Sequence, residues 1–309
     1  MTSDNRKVVI LLATLDGADY LPAQLQSYRD QSCSNWELVV SDDGSSDQTI
    51  EIVQAFAKLA PQRVTILQGP RAGFWRNFLS LVHRADSEAS YFAYSDQDDI
   101  WHPEKLERAI AWLKTIPENI PAVYFTRTAL IGKDDKKLGF SPLFEREPTF
   151  QNALVQSIGG GNTMVFNRAA KRALAQTPPS LALVSHDWWA YQLVTGSGGV
   201  ARYDPWPSVC YRQHDRNMVG ANAGLLPRVH RIGSVARGRF AGWNDINIDA
   251  LQAMRHLLSP SNLATLDRFS LARKSSIPKR LYLLWKSGVH RQSALENFGL
   301  YTSALFGRI

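Results

Sequence analysis

Apolar positions along the first 115 residues switch between two periods. KVVILLATL (7–15), WELVVSDD (36–43), RVTILQG (63–69) and SYFAYSDQDD (90–99) are nearly continuous apolar or β-branched runs that end in polar turns, the pattern of buried strands. Between them lie DYLPAQLQSYRDQ, DQTIEIVQAFAKLA, FWRNFLSLVHRAD and HPEKLERAIAWLK. Their apolar residues fall at helical spacing: Leu21, Leu25 and Tyr28; Ile50, Val53 and Phe56; Phe74, Phe78, Leu81 and Ala85. Pro22 and Pro103 suit first helical turns. Strands alternating with helices of this length predict βαβ units and a mostly parallel sheet flanked by helices.

The second half is less regular. AVYFTRTALIG (122–132) predicts a strand, and SIGGGNTMVFNRAAKRALAQ (157–176) a Gly-rich turn, a short strand and a helix. HDWWAYQLVTG (186–196) predicts a short aromatic helix, and VARYDPWPSVCYRQH (200–214) one or two strands. Beyond it the chain becomes basic and mostly helical, so a division into residues 1–214 and 215–309 is expected. Neither repeats nor low-complexity tracts interrupt it.

At 309 residues, 44% of them hydrophobic, the chain is large enough for a substantial core. Cys33 and Cys210 have no metal-ligand spacing, which predicts reduced thiols and a cytosolic setting. The N-terminal apolar run is too short for a signal peptide's pattern, and no window approaches the ~20 apolar residues that span a bilayer. The net charge of +7 is unevenly spread: residues 215–309 hold 14 Lys/Arg against five Asp/Glu. A nearly neutral body with a basic tail predicts an anionic partner for the tail, nucleic acid or lipid.

In open sheets of this kind ligands bind beyond the carboxyl ends of the strands. Asp42 and Asp43 follow the second strand, and Asp96, Asp98 and Asp99 follow the fourth, so carboxylates gather on one rim. Oxygen ligands at D-x-D spacing suit Mg²⁺ or Mn²⁺, with coordination positions left for a diphosphate. Alternatively, Asp99 caps the helix that follows, and solvent covers the rest. Asp42 is placed to accept the imide N–H of a pyrimidine or to hold a ribose hydroxyl. Asp187, beside Trp188 and Trp189, suits a general base or, more simply, an N-cap. His214 is a candidate third metal ligand or a structural imidazole, and Arg212 a phosphate contact. GGGNT lacks the Gly-Lys-Ser/Thr of a phosphate loop, but its small residues would let an acceptor approach the backbone.

Taken in order, VVILLATLDGADYLPAQLQS, LVVSDDGSSDQT, GFWRNF, FAYSDQDDIWHPEKL, GGGNTMVFNR, HDWW and YRQH resemble a family 2 glycosyltransferase of the GT-A fold, over about residues 6–214. SDQDDIW with YRQH looks most like bacterial rhamnosyltransferases that build surface polysaccharides such as O-antigen from dTDP-L-rhamnose. The resemblance implies that Thr14 and Asp16 touch the nucleotide and that Asp42 contacts the base. It implies that Asp96 and Asp98 serve ribose and metal, with Arg76 and Asn77 near the donor. Asp187 matches the catalytic base, while His186 stands where the family often has Glu. Gly160, Gly161, Asn162, Trp188 and Trp189 then fall on the acceptor side. Inverting transfer to a saccharide hydroxyl, commonly lipid-linked in such enzymes, is the implied reaction. Thymine and uracil present the same imide, so a UDP-sugar stands as the alternative donor.

For the tail, RVHRIGSVARGRF and PKRLYLLWKSGVHRQ mix basic and aromatic residues, which suits either peripheral attachment to the inner face of the membrane or a helical subdomain packed on the catalytic part. Two rival classes fare worse. A sugar nucleotidyltransferase wants a basic Gly-rich first loop, where TLDGADY is acidic. A nucleic-acid binder leaves the acidic rim unexplained.

Overall fold

A computed structural model describes residues 7–85, 88–213 and 239–309. His214, and most of the RVHRIGSVARGRF segment, lie outside the described residues.

Strands β1 (Val8–Thr14), β2 (Trp36–Asp42), β3 (Val64–Gln68) and β4 (Tyr91–Ser95) are parallel, joined through α1 (Leu21–Arg29), α2 (Thr49–Leu59) and α3 (Phe74–Arg84). Two short elements follow, β5 (Ile100–Trp101) and α4 (Lys105–Leu113). Next come β6 (Ala122–Gly132), β7 (Lys137–Phe140), α5 (Phe150–Ala153), β8 (Val165–Asn167), α6 (Arg168–Leu174), α7 (His186–Gly196) and β9 (Val200–Gln213). The sheet order is β3-β2-β1-β4-β8-β6-β9-β5, with β7 paired to β6. Only β8, β5 and β7 run antiparallel to their neighbours, so the mostly parallel sheet expected from the sequence is present.

Because β1 carries apolar side chains at every position from Val8 to Ala13, it feeds both faces. Val9 and Leu11 face one core, and Val8, Ile10 and Leu12 the other. The helices α1, α2 and α4 cover the second face; α3, α5, α6 and α7 cover the first. On that first face the C-terminal helices α8 (Arg239–Ala253), α9 (Pro260–Arg273), α10 (Ile277–Ser287) and α11 (Ala294–Leu305) share the same core through Leu251, Leu266, Phe269, Leu284 and Leu300. Among the described residues no helix is long and apolar enough to cross a membrane.

Strand β9 is one strand, parallel to β6, with a register shift near Thr126 where Pro205 and Pro207 interrupt the ladder. Its last pairs, Ile131 with Arg212 and Gly132 with Gln213, bring Arg212 to the rim where β1, β2 and β4 also end.

Candidate active site

The chain turns back across the sheet between β1 and β4, and the acidic rim lies there. On the β1–β2 side, Asp42 is almost fully buried. Its carboxylate accepts four hydrogen bonds, from Thr14 Oγ1 (2.9 Å), Ser45 Oγ (2.5 Å), Gly44 N (3.1 Å) and Ser45 N (2.8 Å). A carboxylate offers about four acceptor positions. The chain itself fills them, so Asp42 organises this loop. Exposed Asp16, at φ 47°, accepts the Ser46 N–H at 2.7 Å and closes the first loop against the second. Asp43 accepts the N–H groups of Arg71 (2.6 Å) and Gly73 (3.1 Å), which fixes the loop before α3.

From α3, Asn77 turns inward and donates to Ser41 O at 2.8 Å. It clamps the helix to β2 and does not face the rim. Arg76 stays half-buried, its guanidinium 4.2 Å from the Trp75 ring centroid.

Beyond β4 the three aspartates separate in role. Asp99 is fully buried; its Oδ2 accepts Asn162 Nδ2–H at 2.6 Å and its Oδ1 the Arg212 N–H at 3.2 Å. The N-cap of α4 is Glu104, so the alternative that Asp99 caps this helix does not hold. Burial, with Asp98 nearby, raises the Asp99 carboxyl to about 7. Half-buried Asp96 is also pushed well above the usual carboxylate range, by burial first and then by Asp99, Asp98 and Asp187. Gln97 bonds both the N–H and the carbonyl of Leu15, each at 2.8 Å, and ties the acidic loop to the first one.

Beneath this loop lies Lys105, fully buried, with Nζ 3.4 Å from the Trp101 ring centroid and donating to Asn162 O. Burial lowers its ammonium well below the usual lysine range, against the pull of Asp99 and Asp96. It is the internal counter-charge of the aspartate cluster. Its signal in the sequence was its place on the inward stripe Lys105–Ala109–Leu113 of α4.

Arg212 corrects an expectation. It is almost fully buried, and its guanidinium donates to Asp98 O (3.0 Å) and Asp135 Oδ1 (2.5 Å) and lies over Tyr20. These bonds engage Nε and Nη1 of the group expected to hold phosphate. Arg212 is a brace for the acidic loop. Asn162 likewise points down to Asp99, and not toward an acceptor.

Asp187 opens α7 and is half-buried; its Oδ1 accepts the Trp188 N–H (2.8 Å) and its Oδ2 the Gly161 N–H (3.2 Å). The structure thus joins Asp187 to Gly161 and sets Asp187 close enough to Asp96 for the two carboxylates to interact electrostatically. Trp188 and Trp189 turn away into the core, where their indoles donate to Ala153 O (2.6 Å) and Thr177 Oγ1 (2.9 Å). Of the glycines expected on the acceptor side, Gly160 is exposed and Gly161 is buried. His186 stacks on Phe78 at 3.7 Å between centroids, with Tyr94 edge-on. Burial lowers its imidazole to about 4, and neither ring nitrogen has a hydrogen-bond partner.

As a metal site the rim offers only carboxylate oxygens, a hard donor set that fits Mg²⁺ or Mn²⁺. No group of three or more His, Cys, Asp or Glu side chains is arranged to hold an ion among the described residues.

A parallel sheet with a carboxylate rim at its switch point, facing a second carboxylate at a helix start, defines a GT-A-type transferase. The chain belongs to glycosyl transferase family 2, whose profile matches residues 9–175. It is similar to the dTDP-rhamnosyl transferase RfbG of Shigella flexneri, 29% identical over 72% of this chain and 78% of that one. It also resembles a teichuronic acid biosynthesis glycosyltransferase, TuaG, of Bacillus subtilis, 28% identical over 54% of this chain and 65% of the relative. Among solved structures, S. aureus TarS 1–349 in complex with UDP-GlcNAc superposes with a TM-score of 0.57 at 16% identity, over 98% of this chain and 88% of that one. A mannosyltransferase from Pyrobaculum calidifontis in complex with GDP-Man and Mn2+ gives 0.51 at 16% identity, over 99% of this chain and 86% of that one.

Proposed function

We propose that this glycosyltransferase moves L-rhamnose from dTDP-L-rhamnose to a hydroxyl of a lipid-linked saccharide in surface-polysaccharide assembly, with inversion. The observation that carries the reading is Asp187, oriented by the Gly161 and Trp188 N–H groups next to Asp96. The similarity to a dTDP-rhamnosyl transferase supports the donor.

On this reading Asp187 accepts the proton of the acceptor hydroxyl. The acceptor oxygen bonds to the anomeric carbon as the bond from that carbon to the diphosphate oxygen breaks. Proton removal and alignment are the chain's contributions. Thr14, Asp16, Asp42 and Arg76 shape the nucleotide side, and Gly160 leaves room for the acceptor. Asp96 and Asp98 would hold Mg²⁺ or Mn²⁺, with His214 as a third ligand from outside the described residues. When bound, the ion supplies positive charge to offset that of the departing diphosphate.

Asp187→Asn is expected to lower turnover by at least 10³-fold while dTDP still protects the protein against thermal unfolding. Substantial residual turnover would remove Asp187 from the role. A panel of nucleotide sugars, read by diphosphate release, tests the donor: signal with a UDP-sugar and none with dTDP-rhamnose would overturn the rhamnosyl assignment.

A further inference from the structure

The C-terminal helices carry a surface that the transfer reaction does not use. Ten of the sixteen large hydrophobic side chains exposed among the described residues lie in residues 239–309. On α11 they form a stripe: Leu295 (78% exposed), Phe298 (71%) and Phe306 (72%) lie at i, i+3 and i+11, opposite buried Leu300 and Ala304. On α10, Tyr282 and Trp285 (65% exposed) stand one turn apart, opposite buried Leu284 and Ser287. Arg280 Nη1 donates to Ala304 O at 2.7 Å, so the two helices are joined where α11 ends.

Charge chooses the partner. Residues 260–309 contain eight Lys/Arg and two Asp/Glu. Lys279 and Lys286 are exposed on the same side of α10 as Tyr282 and Trp285, and Lys286 Nζ lies 5.8 Å from the Trp285 ring centroid. Aromatic rings with flanking lysines match the boundary between lipid headgroups and acyl chains. A two-fold contact with a second copy would set these lysines against their own equivalents with few acids nearby to offset them. We propose that the outward faces of α10 and α11 dock on an anionic lipid bilayer. The proposal deepens the reading of a lipid-linked acceptor, on which it rests for its purpose. Its test is independent of turnover.

Full-length protein is mixed with phosphatidylglycerol/phosphatidylethanolamine vesicles, or with phosphatidylcholine vesicles, and floated on a density gradient. Wild type is expected to float with the anionic vesicles and tenfold less with the neutral ones, and to be released by salt. W285S/F298S and K279Q/K286Q should each lose most of this binding, while dTDP still protects both variants from thermal unfolding. Absence of wild-type binding, or equal binding by all three proteins, overturns the proposal. So does light scattering that shows a wild-type oligomer made monomeric by W285S/F298S with vesicle binding unchanged. A donor screen in which dTDP-rhamnose gives no signal while flotation succeeds would refute the proposed donor and leave the docking surface standing.

Discussion

His186 sits one residue from the proposed base, yet its ring is packed like an aromatic core residue between Phe78 and Tyr94. Burial lowers its pKa from 6.5 to about 4, with Asp187 opposing. Between those values the unfolded chain binds a proton that the folded chain does not. Stability is therefore complete above pH 6.5 and is lost as pH falls toward 4. A shift of this size corresponds to about 3 kcal/mol. Urea midpoints of wild type and His186→Gln, measured from pH 7 to pH 4, should diverge in slope by that order, with the wild type falling faster. Parallel slopes would show that the imidazole titrates normally. At this scale, the gathering of acidic residues on one rim was legible from their positions after two strands of a parallel sheet, whereas what each carboxylate binds was not. Lys105 went unread in the sequence, and the internal partners of Arg212 were not legible there. A basic residue in a sequence looks solvated or ligand-facing, and only the fold shows that Asp99, Asn162 and Asp98 O surround these two.

The Gly-rich turn and the start of α7 meet at a single point. A Cβ on Gly161 would collide with His186 Nε2, and the Phe78 stack leaves that ring little room to move. Gly161→Ala is thus expected to cost about 1–3 kcal/mol through overpacking. It should also lower turnover, because the Gly161 N–H orients Asp187. Adding His186→Ala should restore much of the stability. A double-mutant cycle by chemical denaturation measures that coupling, and strict additivity would refute the contact. The long elements β1 to β4 and α1 to α4 were legible because each repeats its period several times. β5, of two residues, and β7 and α5, of four each, are too short to show a period at all. Their pairing comes from neighbours: β5 exists because β9 runs past it.

For the molecule as a whole, one sheet separates two cores, and the C-terminal helices complete the one that also buries Trp188 and Trp189. The basic composition of that region was plain in the sequence. Which of its apolar residues face inward was not, since several stripes compete on each helix until packing selects one. The acidic loop depends on distant parts in the same way. Arg212→Ala would remove the brace from Asp98 O and Asp135 while leaving every aspartate in place. Donor affinity, read as the dTDP concentration that protects against thermal unfolding, is expected to weaken at least tenfold; unchanged protection would show the loop to be held by Gln97 and Asn162 alone.

The bond from the Arg212 N–H to Asp99 spans 113 positions of chain. On the ribosome, the SDQDDIW segment emerges long before its anchor. A nascent chain of 101 to 211 residues therefore carries the complete acidic motif in a form that lacks its brace. On the proposed reading of the rim as the donor site, competence to take up donor would be gained late in synthesis, when β9 pairs with β6.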